Sequence, residues 1–95
     1  MLYKRFDAMK SFKAAPHAAW RRVEDEIVIL DLNTSLYFSL NEVGARMWEL
    51  LNEGHSTEDV ARRIVEEYDA PEKDARKDVE ALIKELSQEK LLVAA

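Results

Sequence analysis

The stretch Ile27 to Asn41, IVILDLNTSLYFSLN, constrains the fold more than any other part of the chain. Val28, Leu30 and Leu32 alternate with Ile29 and Asp31, and Leu36, Phe38 and Leu40 alternate with Tyr37 and Ser39. Period-two alternation rich in β-branched and aromatic residues marks half-buried strands. Asn33, Thr34 and Ser35 between them are short polar residues that tolerate turn conformations. The pattern predicts strands over 27–32 and 36–40 joined by a tight loop, with a helix opening at Asn41. Alternation points Leu36, Phe38 and Leu40 into the core. Only helical patterns follow, so the outer edge of the 36–40 strand has no partner in the chain, and no charge or proline protects it.

Upstream, Trp20 to Glu24 predicts a first strand, with Asp25-Glu26 as the turn, giving an antiparallel meander. Residues 1–19 read as an N-terminal arm ahead of a single domain over 20–95. In the arm, Tyr3, Phe6, Met9 and Phe12 recur at a spacing that fits one or two helical turns before Pro16 breaks the element, or a segment that packs Phe6 and Phe12 on the body. Downstream, Asn41 is a good N-cap, with Glu42 suited to the helix dipole. Val43, Met47, Leu50 and Leu51 form one apolar stripe flanked by Trp48, and Gly54 stops the helix. Gly44 in the first turn implies a close approach to the third strand. A second helix opens at Ser56 or Thr57 with Val60, Ile64 and Tyr68 inward, Ala61 and Val65 alongside. A third opens at Pro71 as its first residue, with Ala75, Val79, Leu82, Ile83 and Leu86 inward. Leu91-Leu92-Val93 covers the base of the core. The fold class is α+β: a three-stranded antiparallel meander followed by a three-helix bundle, of winged helix-turn-helix type.

Composition excludes several functions. The 95 residues contain no cysteine, which removes disulfides, thiolate metal sites and cysteine nucleophiles. The apolar runs are too short to span a membrane and no targeting pattern opens the chain, so a cytoplasmic location is expected. Nineteen acids against fourteen bases give a net charge of −5, which weighs against a nucleic-acid partner.

Catalytic parts are missing too. His17 and His55 are the only imidazoles, and neither has a second ligand at metal-binding spacing. The acidic pairs Asp25/Glu26, Glu58/Asp59 and Glu66/Glu67 are adjacent in sequence, so on a helix they diverge by about 100° and read as solvated faces. The two glycines lie too far apart for a phosphate-binding loop. No enzyme, metal or cofactor is expected. Binding remains, and two surfaces qualify: the edge of the 36–40 strand, and the flank of the third helix carrying Arg76, Lys77 and Glu80.

The segments VILDLNTSLYFSLNEVGARMWELL and HSTEDVARRIVEEYDAPEKDARKDVEALIKELSQEKLL resemble the PqqD-like proteins, or RiPP recognition elements, over roughly residues 20–93. The resemblance is carried by Leu40-Asn41-Glu42 with Gly44 and Trp48, and by Asp78-Val79 with Leu82 and Leu86. It implies a non-enzymatic peptide binder that takes the leader of a ribosomally made precursor as an added strand and presents it to a modifying enzyme, often a radical SAM protein. The implied docking strand is Leu36, Tyr37, Phe38 and Ser39. The implied facing helix runs from Pro71 to Gln88, with Arg76, Lys77, Glu80 and Ile83 as contacts and Asn41 as a structural cap. The sequence departs from the family where Ser35 and Lys90 stand in place of frequent glycines. The resemblance is to the general family, so a role in pyrroloquinoline quinone synthesis is open beside other modified peptides.

Two other readings stay open. A winged-helix DNA-binding regulator would use Arg62 and Arg63 of the second helix, against Glu58, Asp59, Glu66 and Glu67 on the same helix. A homodimer formed by strand exchange of the N-terminal arm is the other.

Overall fold

The computed structural model describes residues 10–95. Eight elements follow one another: β1 (Phe12–Ala14), β2 (Ala18–Val23), β3 (Glu26–Asp31), β4 (Tyr37–Leu40), α1 (Glu42–Asn52), α2 (Thr57–Tyr68), α3 (Glu72–Gln88) and β5 (Leu92–Ala94). Strands β2, β3 and β4 form an antiparallel meander in that order, and three helices follow it, the expected α+β class. A second, two-stranded sheet pairs β1 with β5 from the far end of the chain, Phe12 opposite Ala94 and Ala14 opposite Leu92. Of the spaced arm residues only Phe12 lies in the described part, where it is in a strand rather than a helical turn. Tyr3, Phe6 and Met9 lie outside the described residues. The apolar run Leu91-Leu92-Val93 does close the core, with Leu91 and Leu92 buried, and it does so as a strand.

The meander is shifted from its sequence-based boundaries. The first strand runs over 18–23, and the turn is Glu24-Asp25 rather than Asp25-Glu26, with Glu24 at φ 58°. The second strand ends at Asp31, not Leu32. Asp31 explains this: its buried carboxylate accepts the Asn33 N–H at 2.9 Å and the Thr34 N–H at 3.3 Å, folding the chain back in an Asx-type turn. Burial alone would raise the Asp31 pKa, but the backbone donors outweigh it and hold the carboxyl below its ordinary value. Leu32 and Leu36 bracket this loop and are 58% and 57% exposed, so Leu36 does not join the core with Phe38 and Leu40. Strand alternation breaks down at Leu36 because the residue precedes the strand.

One face of the meander packs on the helices. Ile27, Ile29 and Leu40 are buried there with Met47, Trp48, Leu50 and Leu51 of α1, and Val60, Ile64, Val79 and Leu86 of α2 and α3 complete the core. Trp48 is fully buried rather than flanking, and it meets Trp20 edge-to-face with ring centroids 5.7 Å apart. Helix α1 is capped as expected, Asn41 Oδ1 accepting the Gly44 N–H at 3.0 Å. A Cβ at Gly44 would stand 3.3 Å from that same oxygen and 3.6 Å from the Leu40 Cβ, so the glycine keeps both the cap and the β4 contact close. At the other end Gly54, at φ 100°, carries the chain out of the helix. Pro71 is the N-cap of α3 rather than its first residue, and its side chain makes no cap hydrogen bond. Among the described residues no helix is long and apolar enough to cross a membrane.

Candidate functional site

The β4 edge can be resolved amide by amide. Paired residues in an antiparallel ladder alternate between those that exchange hydrogen bonds and those that do not. The Asp31 N–H donates to Leu36 C=O at 2.9 Å, on the β4 side, while the Leu32 N–H donates to His17 C=O at 2.9 Å, on the β2 side. Continuing that parity through the register, Phe38 faces Ile29 and Leu40 faces Ile27 with their amides turned toward β3. Tyr37 and Ser39 therefore turn their N–H and C=O groups outward. β4 ends the sheet order β2-β3-β4, so among the described residues this edge is an unpaired strip of donors and acceptors. The side chains divide the same way: Phe38 and Leu40 face the helices, Tyr37 and Ser39 the opposite face. Tyr37 is 71% exposed.

Beside the C-terminal end of β4 a groove of about 260 Å³ opens between α1 and α3. Its near wall is Asn41, Val43, Gly44 and Met47, and its far wall is Asp78, Ala81, Leu82 and Glu85 of α3. Gly44 keeps the near wall low. The α3 residues singled out in the sequence sit elsewhere on the helix. Arg76 and Glu80 line a separate cavity of about 60 Å³ against Thr57 and Glu58 of α2, and Arg76 Nη2 lies 3.5 Å from Glu58 and 3.6 Å from Glu72. Lys77 is exposed, and Ile83 is half-buried against the core. Asp78, Ala81 and Glu85 were not singled out as contacts by spacing. The signal was present in the Asp78-Val79…Leu82 motif, which marks the α3 face turned to α1.

Between α1 and α2, and along α2, several charges are used within the protein. Arg63 Nε donates to Asp59 at 3.1 Å, Arg62 also pairs with Asp59, and His55 Nδ1 lies 2.6 Å from it. These contacts outweigh partial burial and pull the Asp59 pKa down to about 2. Arg46 of α1 grips Glu67 of α2 with two nitrogens, at 2.8 and 3.1 Å, which holds the Glu67 carboxyl below its ordinary range. The two arginines that a DNA-reading helix would extend are thus engaged by carboxylates of their own helix. Among the described residues no group of three or more His, Cys, Asp or Glu side chains is arranged to hold a metal ion.

Comparison with known proteins gives a consistent result. The chain is similar to "TbiB1 in Complex with the TbiA(beta) Leader Peptide", with TM-score 0.80 and 32% identity over 84% of this chain and 93% of that one. It is similar also to "Lasso peptide synthetase B1 complexed with the leader peptide", with TM-score 0.81 and 29% identity over 87% of this chain and 98% of that one. No curated protein sequence matches. The family described as Coenzyme PQQ synthesis protein D matches residues 26–92, from β3 to the first residue of β5. With the meander, the three helices and the open β4 edge in the expected order, the chain belongs to the PqqD family.

Proposed function

We propose that this protein binds the leader of a ribosomally made precursor peptide as an added β-strand on β4 and presents it to a peptide-modifying enzyme, catalysing nothing itself. The observation that carries this reading is the outer edge of β4, where the amides of Tyr37 and Ser39 face away from β3 beside an open groove. Similarity to two proteins whose structures contain leader peptides supports it.

Strand addition takes affinity from backbone hydrogen bonds and specificity from side-chain pockets. Alternate side chains of an incoming strand point to opposite faces. One set turns to the groove, where Met47 and Leu82 offer apolar surface and Asp78 and Glu85 a negative rim. A leader that places an apolar side chain there, next to Lys or Arg, fits best. Leu36, Tyr37, Phe38 and Ser39 form the docking strand, and Asp78, Leu82 and Glu85 the facing side of α3. Lys77, exposed on α3 next to Asp78, serves a peptide that runs beyond the groove, while Arg76 and Glu80 on the α2 side and Ile83 against the core act by holding α3 in place. The receiving enzyme is a radical SAM maturase in this reading, acting in the cytoplasm on a precursor of pyrroloquinoline quinone or of another modified peptide.

Titration with a labelled precursor peptide tests this. Tyr37→Pro removes one outward donor and leaves the β3–β4 ladder intact, so binding weakens about tenfold, the worth of roughly one net hydrogen bond. Wild-type affinity in Tyr37→Pro, or peptide-induced shifts confined to α2, would refute strand addition.

A further inference from the structure

The face of the meander turned away from the helices carries a second surface. Arg21 and Val23 of β2, Val28 and Leu30 of β3 and Tyr37 of β4 surround a groove of about 310 Å³. The register makes them neighbours: Arg21 is opposite Val28, and Leu30 is opposite Tyr37. Val23 and Tyr37 are among the exposed large apolar side chains. Arg21 supplies a cation there with no counterion among the described residues. Among the described residues Arg22, Arg46, Arg62, Arg63 and Arg76 each hold an ion pair, and Arg21 holds none.

A guanidinium set in an apolar groove is complementary to a partner that brings a carboxylate flanked by apolar side chains. A second copy of this chain fits poorly. Each copy carries a net charge of −5, which opposes stacking the face on itself. The face is also continuous with the leader edge. Tyr37 turns its amide to an added strand and its side chain to this groove. A strand on β4 would set alternate side chains level with Tyr37 and Ser39 on the same face. Whatever covers the face touches this protein and the bound leader together.

We propose that the outer sheet face is the dock for the modifying enzyme, which brings an acidic residue to Arg21 and apolar side chains to Val23, Val28 and Leu30. The identity of that partner rests on the leader-binding reading above. Because the enzyme contacts both, leader and enzyme strengthen each other's binding, and the coupling is reciprocal.

The probes are the precursor peptide and the peptide-modifying enzyme encoded with it. The enzyme is titrated against the free and the peptide-loaded protein, using wild type, Arg21→Glu and Leu30→Ser. Both substitutions weaken enzyme binding about tenfold or more and leave precursor affinity within about twofold, because Arg21 and Leu30 lie on β2 and β3 and their replacement keeps the outward amides of Tyr37 and Ser39. On the wild type, the methyl signals of Val23, Val28 and Leu30 shift when enzyme is added, which decides the matter even if a variant misfolds. Enzyme binding unchanged by both folded variants, or methyl signals that stay in place, overturns the dock. Self-association of the wild type that Arg21→Glu abolishes overturns it as well, in favour of a second copy. If the precursor fails to bind while the enzyme still docks through Arg21, strand addition falls and the dock stands.

Discussion

On the helical side of the protein, Arg62 and Arg63 close on Asp59 and Arg46 crosses from α1 to Glu67 of α2. On the sheet side, among the described residues, Arg21 has no carboxylate and the β4 edge has no strand beside it, and Val23, Leu36 and Tyr37 are open to solvent. Both sides carry charged and polar side chains, so polarity does not tell them apart. What differs is whether the polar groups are already answered within the chain. A surface whose charges and amides are satisfied internally has little to offer a partner. A surface with unanswered amides, a lone cation and exposed apolar side chains keeps its binding capacity. On the proposed function, the contrast leaves stability to the core and the α1–α2 side, and recognition to the sheet side with the α1–α3 groove beside it.

The largest expected effect comes from crossing that line. Trp48 is fully buried, so Trp48→Ala costs about 3–5 kcal/mol. Tyr37→Ala, an aromatic truncation on the open face, stays within about 0.5 kcal/mol. Chemical denaturation of both variants makes the comparison, and a core-sized loss for Tyr37→Ala would break it. Proline substitution sharpens the contrast within a single strand. Phe38→Pro removes a donor to β3 and leaves a buried acceptor unpaired, a loss of about 1–3 kcal/mol. Tyr37→Pro, one residue away, melts near the wild type and loses peptide instead.

Much of this was legible in the sequence, and the exceptions have physical causes. The meander, the three helices, the Asn41 cap and the Leu82 stripe follow from local periodicity and capping, which need only neighbours along the chain. The β1–β5 pair joins opposite ends of the described chain, so no local pattern announces it. Leu36 was placed in the core because alternation carries no information on where a strand begins, and the Asp31 carboxylate fixes that point from the preceding strand. The groove-facing side of α3 was harder, since Arg76 and Asp78 are equally polar in sequence. Only their packing separates the residue turned to α2 from the one turned to α1.

Asn41 sits on the boundary between the two regions, capping α1 while lining the groove. Asn41→Ala costs about 1 kcal/mol through the lost cap. Precursor affinity measured on the folded variant sharpens the division. A collapse of binding with the melting temperature unchanged would make Asn41 a peptide contact rather than a structural cap. The helical side is expected to show itself in acid instead. The Asp59 pKa is about 2 in the folded state against roughly 3.9 unfolded, so its contribution is complete above about pH 4 and fades as pH falls toward 2. Asp59→Asn flattens the stability profile in that window, read by thermal melts across pH, and leaves peptide affinity at neutral pH unchanged.

The smallest effects come from two backbone positions where the family often has glycine. Ser35 and Lys90 have φ of 64° and 61°, a region that side chains other than glycine enter at a cost of about 1–2 kcal/mol. Glycine removes that strain but adds about 0.5–1 kcal/mol of chain entropy to the unfolded state. Ser35→Gly and Lys90→Gly therefore each raise stability by at most about 1.5 kcal/mol. Their consequences for binding differ, because they lie in different regions. Lys90 links α3 to β5 at the base of the core, so Lys90→Gly leaves peptide affinity as it was. Ser35 precedes Leu36 and β4, and its N–H donates to Asp31 C=O at 2.7 Å, fixing the entry of the edge strand. A glycine there loosens the entry before the peptide arrives, so Ser35→Gly weakens binding while it raises the melting temperature. Equal effects of the two glycines on precursor affinity would mean that the loop does not preorganise the edge, and that the sheet side is set by β3 pairing alone.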